Sequence, residues 1–324
     1  MKDWDGTLDF VAIIHESAKG SSCEDAVRFA GWSVMFVETP ITISSIKTPN
    51  LLNNIHKNGC CGEVELIKFY AYTLVTSDVV LLLDVDTLLL KPFTPLVTTL
   101  LNSPNVEAMY TKDYGMVPPG RKAGAQGGFL LLKPSVETFD LFRRIVLNVP
   151  FNEPPLNKGW GGSGVGPFYG GMTFQGLVPF VYEEYEWEGF KDMGGGGRDD
   201  LVEGDSRIGR GIELDRCKWN NMMDNPMSKD GTECRGPVKG VTDCPDCRET
   251  RIDEISSVHF TLCQKPWHCF IKGPKPWCEP LHQAWFKYRR SMEEEMGIYE
   301  GEGKHMEGFC KHAGQKGYIP IKRE

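Results

Sequence analysis

The sequence predicts an α/β protein in which a mostly parallel sheet is sandwiched by helices. Three observations carry that reading. Short apolar runs alternate with stretches of helical spacing from Asp9 to Val149, the pattern of strand–helix–strand units. Five apolar residues, Val79 to Leu83, form a buried-strand signature that ends in two carboxylates, Asp84 and Asp86. The run Gly127-Gly128-Phe-Leu-Leu-Leu-Lys133 stops at a proline and passes straight into a capped amphipathic segment.

Taken in order, Asp9 to His15 reads as a strand, followed by a Ser/Gly-rich turn over Ser17 to Ser22. Glu24 to Ala30 reads as a helix and Val34 to Val37 as a second strand. Glu63 to Leu74 has α-helical spacing, with Leu66, Tyr70 and Leu74 on one face. Leu96 to Leu101 is a helix, Val106 to Tyr110 a strand, and Ser135 to Val149 a helix with Ser135 as N-cap and Glu137 in its first turn. From Pro150 to Gly171 glycine, proline and aromatic residues replace the periodic pattern, as in an ordered active-site loop or lid. Gly194 to Gly197 offers no side chains to pack and predicts mobility. A turn-rich, cysteine-stapled insertion covers about 185–255 within a catalytic domain of 1–290. The charged Leu281 to Met296 segment leads into a C-terminal tail, 291–324.

The chain of 324 residues is 40% hydrophobic and 25% charged, ordinary for a globular protein. A formal net charge of −8 lacks the basic footprint of a nucleic-acid binder. It leaves room for an anionic small ligand, because a metal and one or two lysines can hold phosphate locally. No apolar run approaches the ~20 residues of a membrane span, and the polar segment Met1 to Gly6 is no signal peptide. Eight of the eleven cysteines fall in the last third. That density favours disulfides in a secretory lumen such as the Golgi. Cys217, Cys234, Cys244 and Cys247 could instead form a structural zinc site, since C-x-x-C is a ligand spacing. A cytoplasmic location is then the alternative.

The chemistry gathers at two segments. Residues i and i+2 of a strand point the same way, so Asp84 and Asp86, flanking Val85, can face one cleft. Two hard carboxylates suit Mn²⁺ or Mg²⁺. The plain alternative is a strand running into an Asp-rich turn. In the second segment, Ser257 to Trp267, His259 follows an apolar approach and Lys265 lies six residues on, with Pro266-Trp267 behind it. Imidazole tolerates Mn²⁺, and a lysine ammonium is a point charge suited to phosphate.

With those residues in this order, the chain resembles the glycogenin-like glycosyltransferases of family 8. The likeness covers roughly Asp9 to Trp267 and rests on Lys68, Asp84-Val85-Asp86, Gly127-Gly128 with Lys133-Pro-Ser, and His259 to Trp267; Gln175-Gly176-Leu177 is similar to the family's Asp-Gln-Gly element. The resemblance implies a GT-A fold and retaining transfer from a UDP-sugar to a glycan or protein acceptor. Asp84, Asp86 and His259 would hold Mn²⁺, and Lys68 and Lys265 would offset phosphate charge. Val85, Gln126, Gly127 and Gly128 would line the donor site, with Gln175 beside the anomeric carbon. Asp113, past the strand ending at Tyr110, is a further catalytic candidate for the cleft; a solvated loop carboxylate is the other reading of it.

Three departures bear on this. Phe174 stands where the family has an aspartate, so a carboxylate near the sugar is missing and Gln175 only positions. No strand matches the one that holds the uracil ring, which implies that roughly fifty N-terminal residues, with any membrane anchor, precede this sequence. No self-glucosylated tyrosine segment or glycogenin-style tail is recognisable. A haloacid-dehalogenase phosphohydrolase also follows a strand with D-x-D, but wants threonine two places after the second Asp, whereas Thr87 follows at once. A catalytically inactive glycan-binding protein of the same fold, and a zinc-stapled interaction module, are the non-enzymatic readings.

Overall fold

The computed structural model describes residues 6–154, 157–186, 206–268 and 275–295; the Gly194–Gly197 run and residues 296–324 lie outside them. In chain order the elements are β1 (Val11–His15), α1 (Ser22–Phe29), β2 (Ser33–Val37), α2 (Pro49–Asn54), β3 (Val80–Leu83), β4 (Thr87–Leu89), α3 (Thr94–Leu101), β5 (Ala108–Asp113), β6 (Gly124–Leu132), α4 (Val136–Asn148), α5 (Phe174–Pro179), β7 (Gly211–Glu213), β8 (Ser257–His259) and α6 (Glu279–Glu295). The protein is mixed α/β, as the alternation predicts.

The main sheet has the order β3-β6-β5-β7. Its centre, β6, is buried at every position, and Gln126 is its one polar side chain. That is why it reads as a continuous apolar run rather than an alternating one. Leu130 and Leu132 face one core with Tyr110, Phe69, Phe142 and Phe174. Phe129 and Leu131 face another with Met109, Leu100 and Trp219. The pairings are mixed: β1–β2 and β5–β7 are parallel, whereas β3–β6, β4–β8 and β5–β6 are antiparallel. Between β5 and β6 there is only a short connection with a single 3₁₀ turn, Tyr114–Met116, too short for a crossover, so β6 must run against β5. β7, from the cysteine-rich stretch, forms one edge of this sheet, so that stretch is built into the sheet.

Ser135 caps α4 as expected, its hydroxyl accepting from the Thr138 N–H at 3.1 Å. The Glu63 region departs from its predicted form. Gly62–Thr73 is a 3₁₀ helix of twelve residues, and its large buried side chains Leu66, Phe69 and Tyr72 recur every three positions, beside the smaller buried Ala71. At 3.0 residues per turn that spacing forms one edge, and Tyr70 and Leu74 are left only partly buried. The described residues of Pro150–Gly171 pack around Trp160, which is fully buried and donates from Nε1 to the Gly171 carbonyl at 2.8 Å. α6 buries Leu281, His282 and Phe286 beneath its charged face. Among the described residues no helix is long and apolar enough to cross a membrane.

Among the described residues, the late cysteines pair as Cys217–Cys247, Cys234–Cys244 and Cys263–Cys278, with Cys60–Cys61 as a fourth bridge. Cys244 and Cys247 therefore hold different partners, and the zinc reading of C-x-x-C is replaced by two disulfides. Four such pairs are compatible with an oxidising compartment.

Candidate active site

β3 delivers the first two candidate ligands. The strand ends at Leu83, and Asp84, Val85 and Asp86 form a turn into β4, closed by the Thr87 N–H donating to the Asp84 carbonyl at 3.0 Å. The aspartates are thus brought together by the turn rather than by strand pleat. Val85, at its tip, is 97% exposed. Thr87 pairs with His259 across β4–β8, and the Phe260 N–H donates to the Asp86 carbonyl at 2.9 Å. Among the described residues, Asp84, Asp86 and His259 offer ligand atoms that all lie within 4.8 Å of one another.

The protonation of His259 follows from its neighbours. Gln126 Oε1 accepts from the Gly128 N–H at 2.6 Å and from Asn220 Nδ2 at 2.8 Å, which fixes it as the amide oxygen. His259 Nδ1 lies 3.0 Å from that oxygen and so carries the proton. Nε2 then presents its lone pair to Asp86 Oδ1 at 3.1 Å and Asp84 Oδ2 at 3.9 Å. Burial pulls the imidazole down to about 4, with Asp84 opposing, so the ring is neutral near pH 7. A lone pair and two carboxylates facing one another repel unless a cation stands between them. The donor set fits a divalent ion with oxygen and imidazole ligands.

Each aspartate also meets a lysine. Lys68 Nζ is 2.7 Å from Asp84 Oδ1 and donates to the Gly127 carbonyl at 3.0 Å. Lys265 Nζ pairs with Asp86 Oδ2, and burial depresses its ammonium pKa, with Asp84 opposing. The floor between them is Gly127-Gly128. A Cβ on Gly128 would run into the His259 ring, and one on Gly127 would stand 3.1 Å from Lys68 Nζ, 3.3 Å from Glu65 Oε1 and 3.7 Å from Gln175 Cγ. Gln175, on the first turn of α5, therefore reaches the same floor and packs against Gly170.

Asp113 stays outside the ligand cluster. It sits at the end of β5 with its carboxyl raised to about 6, first by burial and then by the field of Asp224. Phe174 is fully buried, its ring 5.1 Å from Phe69 and 5.4 Å below Lys68 Nζ. Two residues that sequence reasoning missed complete the surroundings. Glu65 precedes Lys68 by one 3₁₀ turn, 3.6 Å from its ammonium; the i, i+3 pairing was the available signal. Asn220 holds Gln126 from a left-handed backbone position, φ 58°, across 94 residues of sequence, with no local signal at all.

No protein-family model matches the chain, and no curated protein matches it. Solved structures similar to it include mouse xyloside xylosyltransferase 1 in its apo form, at 12% identity over 77% of this chain and 84% of that one, with a TM-score of 0.38. An active-site mutant of LgtC is 14% identical over 93% of this chain and all of that one, with a TM-score of 0.38. The bifunctional glycosyltransferase WbbM is 12% identical over 82% of this chain, which spans 47% of that larger protein, with a TM-score of 0.35. Likeness at this level carries no argument about chemistry, which rests on the residues of the cleft.

Proposed function

We propose that this chain is a divalent-cation-dependent hexosyltransferase of GT-A fold, glycogenin-like, moving a sugar from a UDP-sugar to a glycan or protein acceptor with retention. One observation carries the reading: a neutral imidazole and two aspartates converge on one point, and each aspartate holds a lysine. Two carboxylates and two ammoniums sum to zero. A divalent ion on Asp84, Asp86 and His259 brings the cluster to +2, the complement of the two negative charges on a nucleotide-sugar diphosphate. The ion, Mn²⁺ in this proposal, supplies Lewis-acid neutralisation of the departing UDP.

The chain's own residues do the rest. Lys68 and Lys265 stand on either side of the aspartates and stabilise charge that grows on the leaving diphosphate. Gly127 and Gly128 let Lys68, Gln175 and the His259 ring approach the strand closely, and Gln175 positions the sugar. With Phe174 buried under Lys68, α5 offers no carboxylate to the anomeric carbon, so the acceptor oxygen attacks from the face that UDP leaves. The disulfides fit work in the Golgi or another secretory compartment. Phe174 also favours a second reading, an inactive fold that binds glycans.

The test is UDP release against a panel of UDP-sugars, with Mn²⁺ and with EDTA, beside Asp84→Ala/Asp86→Ala. Release that requires Mn²⁺ and both aspartates is expected and identifies the donor. Binding of glycans without UDP release from any donor would favour the inactive fold.

A further inference from the structure

The carboxylate of Glu65 lies in the cleft without an assigned task. Its side chain is only 10% exposed. Oε2 accepts from the hydroxyl of Thr173, itself fully buried. Oε1 lies on the Gly127 side, 3.3 Å from where an added Cβ would stand, in company with Lys68 Nζ and Gln175. Its charged neighbour there, Lys68, is 3.6 Å away and already engaged at 2.7 Å with Asp84 and at 3.0 Å with the Gly127 carbonyl. Among the described residues, Oε1 accepts no hydrogen bond. Beyond its ion pair with Lys68, this oxygen keeps lone pairs that can accept from a ligand.

We infer that Glu65 is the residue that reads the donor sugar, Oε1 accepting from hydroxyls of a neutral hexose. This deepens the transferase reading and rests on it. Charge supports the assignment. Asp84, Asp86 and Glu65 contribute −3, Lys68 and Lys265 +2, a divalent ion +2 and the donor diphosphate −2. The sum is −1, opposite in sign to the charge that develops on the anomeric carbon as UDP departs. The same carboxylate opposes a sugar that carries its own carboxylate. Neutral UDP-hexoses are therefore accepted and UDP-uronic acids rejected, by about a hundredfold, since like charges in a poorly solvated site repel strongly. Thr173 holds the carboxylate in place.

The experiment compares the full chain with Glu65→Gln and Glu65→Asp. Three readouts are taken: Mn²⁺ affinity by calorimetry, affinity for UDP-hexose relative to UDP, and kcat/KM for a UDP-hexose and the UDP-uronic acid of the same configuration. Glu65→Gln is expected to keep Mn²⁺ and UDP affinity within about threefold, because neither rests on Glu65. It should lose the extra affinity for UDP-hexose, lower kcat by about a hundredfold and narrow the hexose-to-uronate ratio at least about tenfold. Glu65→Asp should recover part of kcat and of that ratio. Unchanged kcat and ratio in Glu65→Gln, beside an active wild type, would overturn the assignment alone. Parallel losses of Mn²⁺ affinity and melting temperature would do the same, by giving Glu65 a structural role. A wild type that neither binds nor cleaves any UDP-sugar would remove the transferase reading and this inference together.

Discussion

Gly128→Ala should weaken Mn²⁺ binding while Gly127→Ala should not, although the two substitutions are adjacent and chemically identical. The Cβ at 128 would lie under 3.0 Å from Cε1 and Nδ1 of His259 and 3.0 Å from Gln126 Oε1. The ring must retreat by roughly 1 Å to reach ordinary van der Waals contact. It is 3% exposed and tied through Nδ1 to Gln126, so it has no free direction to move. Metal–ligand distances tolerate only about ±0.2 Å, so Nε2 leaves the donor set. Disturbing the support of a ligand typically costs about 10–100-fold in metal affinity, or roughly 1.4–2.7 kcal/mol. At 127 the nearest atoms are the flexible tips of Lys68 and Glu65 at 3.1 and 3.3 Å, which yield by tenths of an ångström. Calorimetric Mn²⁺ titration, with melting temperature followed in parallel, reads the difference. Gly127→Ala should stay within about threefold of wild type for the metal, yet slow donor turnover because its methyl displaces Lys68 and Glu65. Equal Mn²⁺ affinities for Gly128→Ala and wild type would refute the placement of His259 in the donor set.

Further outcomes follow from the same geometry. Asp113, raised to about 6 from an ordinary value near 3.8, destabilises the fold as pH rises through 6. Asp113→Asn should therefore raise unfolding free energy by about 1–3 kcal/mol at pH 7.5, the lower figure allowing for partial exposure, and by little at pH 4; urea unfolding at both pH values checks the sign. Breaking Cys263–Cys278 opens a loop with a sequence separation of 15, worth about 3 kcal/mol. Because that loop carries Lys265, the Cys263→Ser/Cys278→Ser variant should lose more affinity for UDP than for Mn²⁺ in paired titrations. Lys265→Ala should slow UDP release by about 10²–10³-fold with a melting temperature close to wild type; equal losses in both would count against a phosphate role.

Asp84, Asp86, His259 and Lys265 were legible because their chemistry is local, whereas Glu65 was not. Asp84 and Asp86 follow a buried strand within one short segment, and His259 and Lys265 share another. What joins those segments is not local. Thr87 meets His259 only through the β4–β8 pairing, and Asn220 reaches Gln126 from the cysteine-rich stretch. The strand order was hidden for the same reason, since register depends on long-range partners. Period was read on the wrong template at Gly62–Thr73. Leu66 supports both three- and four-residue spacing, and the buried Phe69 and Tyr72 select three. That choice matters chemically, because it sets Glu65 and Lys68 one turn apart on the edge that faces Gly127.

Phe174 separates a fold that has lost its chemistry from one that has relocated it. In the first case an aspartate introduced at 174 would supply the carboxylate that the resemblance expects there; in the second the position belongs to the core. The structure argues for the core. Phe174 is fully buried, lies 5.1 Å from Phe69, and Phe69 stacks at 4.1 Å on Phe142. Removing such a ring costs about 3–5 kcal/mol, and a carboxylate in its place adds desolvation that Lys68, already paired with Asp84, offsets only in part. Phe174→Asp should thus lower unfolding free energy by at least about 3 kcal/mol and gain no UDP release. Adding Phe174→Asp to Glu65→Gln should not rescue turnover, because the new carboxylate starts beneath Lys68, whereas Glu65 Oε1 stands over Gly127. UDP release regained by the double variant, measured at a temperature where it stays folded, would place the functional carboxylate on α5 and reduce Glu65 to a partner of Thr173.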